Sequence, residues 1–253
     1  MKAFSGLSLG LLALSAILGH AGCSEDTPRA VDTGASEADA GDGGVAPPAP
    51  LADPATPCAD SVESLYADPG AGAAAPLAPD DRGAILKCAR GSDVPGDALQ
   101  AELTRLGYAG KPATSGARVF KVLYRTQRGD AASSPGYSSA TVYVPTTQRA
   151  EKLPIVVVAR GSRGQAARCA ASKLDPSLPG LNDDFYRLGY TLVGNGYAVI
   201  IPDLAGYANF GAAGNPPSAY AQAADVARST LDGSRAMKRL YPQLDDRTVL
   251  VGH

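Results

Sequence analysis

The chain has 253 residues, 45% of them hydrophobic, enough to bury a sizeable core in one or two domains. A formal net charge of -2, with Lys and Arg scattered singly, leaves no basic face for phosphate contacts, so no nucleic-acid partner is expected. The two histidines, His20 and His253, stand far apart, and neither Cys-x-x-Cys nor His-Glu-x-x-His spacing occurs; no metal site and no cofactor is expected.

Residues 1–22 carry Lys2, an apolar run from Leu7 to Leu18, and small residues before Cys23, the pattern of an export signal. The run is too short for a membrane-spanning helix, and an acidic stretch follows it where a stop-transfer segment would be basic. Ala21-Gly22-Cys23 resembles the lipobox of bacterial lipoproteins, with His20 where Leu is usual; the resemblance implies a lipid anchor at Cys23 and a cell-envelope or secreted location. Residues 23–57 are rich in Ala, Gly, Pro and acidic residues with almost no large apolar side chain. Such a stretch cannot bury enough surface to offset its ordering entropy and reads as a flexible tether. The folded part is expected over 58–253.

Cys58, Cys88 and Cys169 lie in an exported chain, where disulfides form. Cys58 with Cys88 is the expected pair, because both fall in the extended segment ahead of the core. Spacing leaves Cys58 with Cys169, or Cys88 with Cys169, open.

From Ser61 to Gly116 the pattern is irregular, apart from a short helix over Ala98–Leu106. Arg118–Arg125 and Ala140–Pro145 alternate in part and flank the Gly/Ser/Pro-rich stretch Gly129–Ser139, which predicts an antiparallel hairpin at the sheet's edge. Pro154–Ala159 is a continuous apolar run, as expected of a strand covered on both faces, and it opens into Arg160-Gly161-Ser162-Arg163-Gly164. Between Asp183 and Gly194, Phe185, Leu188 and Leu192 recur at helical spacing, and Gly194-Asn195-Gly196 stops the helix. Tyr197–Asp203 is the next buried strand. Ser218 can cap a helix whose inner face carries Val226, Thr230, Gly233, Met237 and Leu240, and Pro242 ends it. Thr248–Val251 is the third buried strand, running into Gly252-His253. Hairpin, then strand, helix, strand, helix, strand is the order of an α/β protein with a parallel sheet and crossover helices.

Four stretches in this order, Val156–Gly164, Arg168–Ser172, Gly196–Tyr207 and Val249–His253, resemble the bacterial and fungal secretory lipases of the α/β-hydrolase fold. The resemblance implies an N-terminal portion of that fold and a carboxylic-ester hydrolase acting on lipids or simpler esters. Gly252-His253 matches the start of a Gly-His-Ser-x-Gly nucleophile elbow, with the Ser expected directly after His253. In the same fold one oxyanion donor follows the nucleophile and the other comes from the loop after the third strand. By that match Arg160, Gly161 and Ser162 form the oxyanion loop, with Arg160 where the family usually has His. Asp203 precedes the expected Ser, whereas the triad acid follows it, so Asp203 is expected to support neighbouring loops by hydrogen bonds. Tyr207 is a candidate wall of the acyl pocket, and Cys169 matches a family Cys whose bridging partner could lie further along.

As given, the chain cannot hold a Ser-His-acid triad and is expected to be inactive alone, a fragment of the enzyme with a poorly soluble apolar edge. The alternatives are a non-catalytic surface lipoprotein on a degenerate hydrolase fold, and a peptidase of the same fold.

Overall fold

The computed structural model describes residues 48–70, 75–159, 161, 164, 169–173, 183–207 and 217–252. The leader, Cys23, most of the expected tether, Arg160, Ser162, Arg163, Arg168 and His253 lie outside the described residues. The helices are α1 (Val62–Leu65), α2 (Gly96–Arg105), α3 (Asp183–Gly194) and α4 (Ala223–Leu240). The strands are β1 (Ile85–Arg90), β2 (Ala117–Gln127), β3 (Pro135–Pro145), β4 (Ile155–Ala159), β5 (Ala198–Ala205) and β6 (Thr248–Gly252).

The six strands form one sheet in the order β1-β2-β3-β5-β4-β6. The first three neighbouring pairs are antiparallel; β4 runs parallel to both β5 and β6. This is the α/β-hydrolase type of sheet that the sequence predicts, with one addition. The β2–β3 hairpin is not at the edge, because β1 lies outside it.

Period-two alternation divides the core between the two faces of the sheet. Ile155, Val157, Ala198 and Ile200 pack with Phe120, Val142, Met237 and Leu240 on the α4 side. Val156, Val158, Val199 and Ile201 pack with Leu99, Leu103, Tyr190 and Val193 on the side of α2 and α3. β4 and the first half of β5, Ala198 to Ile201, are therefore apolar without interruption, because both of their faces are covered.

Helix α4 lies close to the sheet because Gly233 lets it. A Cβ there would stand 2.9 Å from Pro202 Cγ and 3.2 Å from the Tyr124 hydroxyl. The helix begins at Ala223 with Gln222 as its N-cap residue, one turn later than Ser218 would set it, and it has no side-chain cap bond. Its buried face is more polar than the sequence pattern suggests, with Asp225, Ser229 and Asp232 added to Thr230, Gly233, Met237 and Leu240. Each of these finds a partner. Asp225 accepts from Arg128 Nε at 2.9 Å and from the Gly129 amide at 2.7 Å. Asp232 accepts from Thr126 Oγ1 at 2.7 Å and from Arg82 Nε at 3.1 Å.

The ordered packing starts earlier than Cys58. Leu51, within the stretch read as tether, is buried in the α4-side core, and Arg118 Nη2 donates to its carbonyl at 2.6 Å. The Ala55 amide bonds to the Leu240 carbonyl at 2.8 Å. A disulfide joins Cys58 to Cys88, tying this strap to β1.

Thr248–Gly252 forms a strand in the expected place, but it is not buried. Among the described residues no strand pairs with its outer edge, and Val249 and Leu250 are 46% and 56% exposed.

Candidate active site

Parallel pairing brings two of the sequence-predicted segments together. β4 and β6 run in register from Ile155 opposite Thr248 to Ala159 opposite Gly252. Neighbouring strands stand about 4.8 Å apart, so the chain leaving β4 towards Gly161 and the chain leaving β6 at Gly252 emerge side by side at the same end of the sheet. Openings at strand C-termini are where α/β sheets bind ligands, since the loops there diverge above fixed backbone. Gly164, further along the same loop, has φ +102°, and a Cβ there would sit 3.3 Å from Cys169 Sγ. The backbone angle favours glycine there, and the sulfur beneath leaves a Cβ only a tight fit. Cys169 is itself disulfide-bonded.

Asp203 is placed by an irregularity of the sheet. Ser139 pairs with Leu204 and Ala140 with Pro202, so Asp203 is the extra residue of a β-bulge. Leu204, which follows it, has φ +78°, a conformation costly for a branched side chain. The bulge turns the Asp203 carboxylate inward, where it is 1% exposed. It accepts a hydrogen bond from Ser139 Oγ at 2.6 Å, one from the Ser172 amide at 3.0 Å, and a third from Ser172 Oγ. Ser172 belongs to a 3₁₀ turn, Ala171–Lys173, in the connection from β4 to α3. The carboxylate therefore ties that connection to β3 and β5.

Tyr66, at the C-cap of α1, completes the group, with its hydroxyl 2.8 Å from Ser172 Oγ. Lys121 Nζ donates to the Ser172 carbonyl, and Lys173 Nζ lies 5.5 Å from the centre of the Tyr66 ring. Burial, and secondarily the Asp203 charge, hold the Tyr66 phenol well above its ordinary pKa. Sequence reasoning found Asp203 and quoted Ser172 within a motif, but missed Ser139, Tyr66 and Lys121. None of these has a local signal, since they come together only through the pairing of β2, β3 and β5. Tyr207 is buried against Cys169, Ala170 and Leu204, packed beside this group.

Among the described residues there is no cluster of His, Cys, Asp and Glu able to hold a metal ion, and no helix long and apolar enough to cross a membrane.

No protein-family profile and no curated protein sequence matches the chain. Solved structures do. A protein of Legionella pneumophila, provisionally named a hydrolase, is similar over 66% of this chain and 43% of its own, at 20% identity and a TM-score of 0.51. The rice cell wall degrading esterase LipA of Xanthomonas oryzae matches 68% of this chain and 42% of its own, at 22% identity and a TM-score of 0.48. Candida antarctica lipase A in its closed state matches 68% of this chain and 35% of its own, at 22% identity and a TM-score of 0.47. The chain thus spans less than half the length of each. Identities this low speak to the fold alone, an α/β-hydrolase-like sheet.

Proposed function

We propose that the chain is the N-terminal part of an exported serine hydrolase acting on carboxylic esters. The observation that carries this reading is the in-register pairing of Ala159 with Gly252. Acyl transfer needs a nucleophile on a tight turn and N–H donors about 3 Å from the oxyanion. Two strand ends side by side, one leading to Gly161 and the other ending in Gly252, supply the frame for both. In this reading Gly252 and His253 open the elbow, the nucleophilic Ser follows His253, and the Ser162 amide beside Gly161 is one oxyanion donor. Arg160 steadies that loop, and Asp203 supports it. A preorganised donor of this kind contributes about 3 to 4 kcal/mol to the transition state. The catalytic acid and His are then supplied by sequence beyond residue 253, and the 253-residue chain alone is inactive.

Export is part of the same proposal. The signal-like residues 1–22 support it, and the Cys58–Cys88 disulfide is chemistry of an oxidising compartment. The lipid anchor at Cys23 is tested by mass: acylation would add a diacylglyceryl group to the N-terminal peptide, and an unmodified Cys23 held in a disulfide overturns the anchor.

The decisive experiment is to read the DNA downstream of His253 in all frames, express the resulting protein, and assay p-nitrophenyl esters of rising acyl length. A Ser codon directly after His253, with later Asp and His codons and ester turnover abolished by Ser→Ala, is the expected result. No such codons, or a long protein that turns over amides but not esters, overturns the proposal.

A further inference from the structure

The segment ahead of β1 is thinly held. Between residues 48 and 60 Leu51 alone is buried, and among the described residues from 61 to 82 Leu65 alone, with Val62 and Tyr66 half-buried beside it. The other ties are polar. Arg118 Nη2 donates to the Leu51 carbonyl at 2.6 Å, the Ala55 amide to the Leu240 carbonyl at 2.8 Å, the Asp60 amide to the Cys88 carbonyl at 3.0 Å, and Lys87 Nζ to the Ser64 carbonyl at 2.5 Å. Backbone entropy is lost at every residue of such a segment, while apolar surface is fully covered at very few.

The Cys58–Cys88 bridge changes that balance. Its cysteines are 30 residues apart and α1 lies between them, so the loop that carries α1 is closed on β1 by a covalent bond. The bridge is also within reach of a reductant. Cys88 is 1% exposed, but Cys58 is only half-buried and lines a surface cleft with Pro54, Thr56 and Pro57 of the strap and with Arg90 and Phe120 of the sheet. A thiolate entering this cleft meets Cys58 Sγ first.

We propose that Cys58–Cys88 is a redox latch: reduction by an external dithiol releases residues 48–66 as one unit and withdraws Tyr66 from Ser172, while the sheet stays folded. A thiolate of the dithiol attacks Cys58 Sγ, the bond between the two Sγ atoms breaks, and its electron pair leaves on Cys88 Sγ, which takes a proton. The second thiol of the dithiol then displaces Cys58 from the mixed disulfide. Both cysteines end as thiols, and the dithiol ends as a disulfide, oxidised by two electrons. The release reaches the sheet's interior because Tyr66 follows α1 directly as its C-cap, and its hydroxyl is bonded to Ser172 Oγ at 2.8 Å, which in turn donates to Asp203. The latch holds whether or not the chain hydrolyses esters.

Two measurements on the 253-residue chain test it. In the first, dithiothreitol is added under native conditions, and the freed thiols are alkylated and located by mass. Cys58 and Cys88 should be labelled while circular dichroism keeps its native amplitude. A bridge that opens only as the sheet unfolds overturns the proposal. In the second, the double change Cys58→Ser, Cys88→Ser removes the bridge without touching Cys169, and hydrogen exchange is followed peptide by peptide. Amides from 48 to 66 should exchange roughly tenfold faster or more, with peptides of β3, β5 and α4 within about twofold of their former rates. Unchanged exchange from 48 to 66 overturns the proposal, and so does an equal rise across β3 and β5, which would make the bridge a staple of the whole fold. The wild-type chain held in dithiothreitol should give the same pattern, and oxidised glutathione should restore protection; failure to restore it also overturns the latch.

Discussion

Tyr241 carries a buried hydroxyl with no hydrogen-bond partner among the described residues, while its ring packs edge-on against Phe120 at 6.2 Å. Such a group bears its desolvation cost without return. Tyr241→Phe is therefore expected to stabilise the chain by about 1 kcal/mol, read as a higher midpoint in urea. Asp225 is the opposite case. It is buried with Arg128, and the two side chains are each 4% exposed. Asp225→Asn takes a negative charge from beside the buried Arg128 guanidinium and should cost about 3 to 5 kcal/mol. Equilibrium unfolding decides this; a loss under 1 kcal/mol would mean that the Arg128 charge is solvated. At this scale the sequence was legible only where chemistry is announced locally. Asp203 stood out because it ends an apolar run. Its surroundings did not, because Ser139, which bonds the carboxylate, and Tyr66, which bonds Ser172 beside it, look like any strand or loop residue.

Among the elements, β4, β5 and α3 were readable because a strand covered on both faces needs an unbroken apolar run, and a helix between two layers needs an apolar stripe. β1 was not. Ile85-Leu86-Lys87-Cys88-Ala89-Arg90 has neither alternation nor a β-branched run, and it is held by pairing with β2 and by the disulfide. The inner face of α4 was half readable. Apolar spacing found Met237 and Leu240, but Asp225 and Asp232 are buried only because Arg128, Arg82 and Thr126 meet them there. The disulfide was open to three pairings from sequence and is now one. Its two cysteines are 30 residues apart, so the double change Cys58→Ser, Cys88→Ser should lower stability by about 3 to 4 kcal/mol on loop-closure grounds. The measurement is thermal unfolding with and without the bridge. A loss far below this would mean that the strap keeps the same contacts in the unfolded ensemble.

For the molecule as a whole, alkali should be destructive in a definite window. Burial is the leading cause that raises the phenols of Tyr137 and Tyr190 to about 12, and it pushes those of Tyr66, Tyr124, Tyr143 and Tyr241 above their ordinary value as well. The unfolded chain ionises these groups near pH 10 and the folded chain does not. Stability is then intact below pH 10 and falls as pH rises through 10 to 12 and beyond. Tyrosinate absorbance should rise in one step together with loss of circular dichroism; separate, gradual ionisation without unfolding would refute this. The exposed edge at β6 gives a second expectation. Val249 and Leu250 present an apolar strand with no outer neighbour among the described residues, so the 253-residue chain should self-associate, and Leu250→Lys should raise the soluble fraction severalfold in sedimentation.

The strand order has one further consequence, for birth on the ribosome. β5 lies between β3 and β4, although β4 is made first. The antiparallel ribbon of β1, β2 and β3 can close as it emerges, but Ile155–Ala159 finds no slot until Ala198 and its successors have been synthesised and inserted. For that interval a wholly apolar segment stands bare to the cytosol or the export machinery. A holdase that recognises short aliphatic stretches would find a client site there.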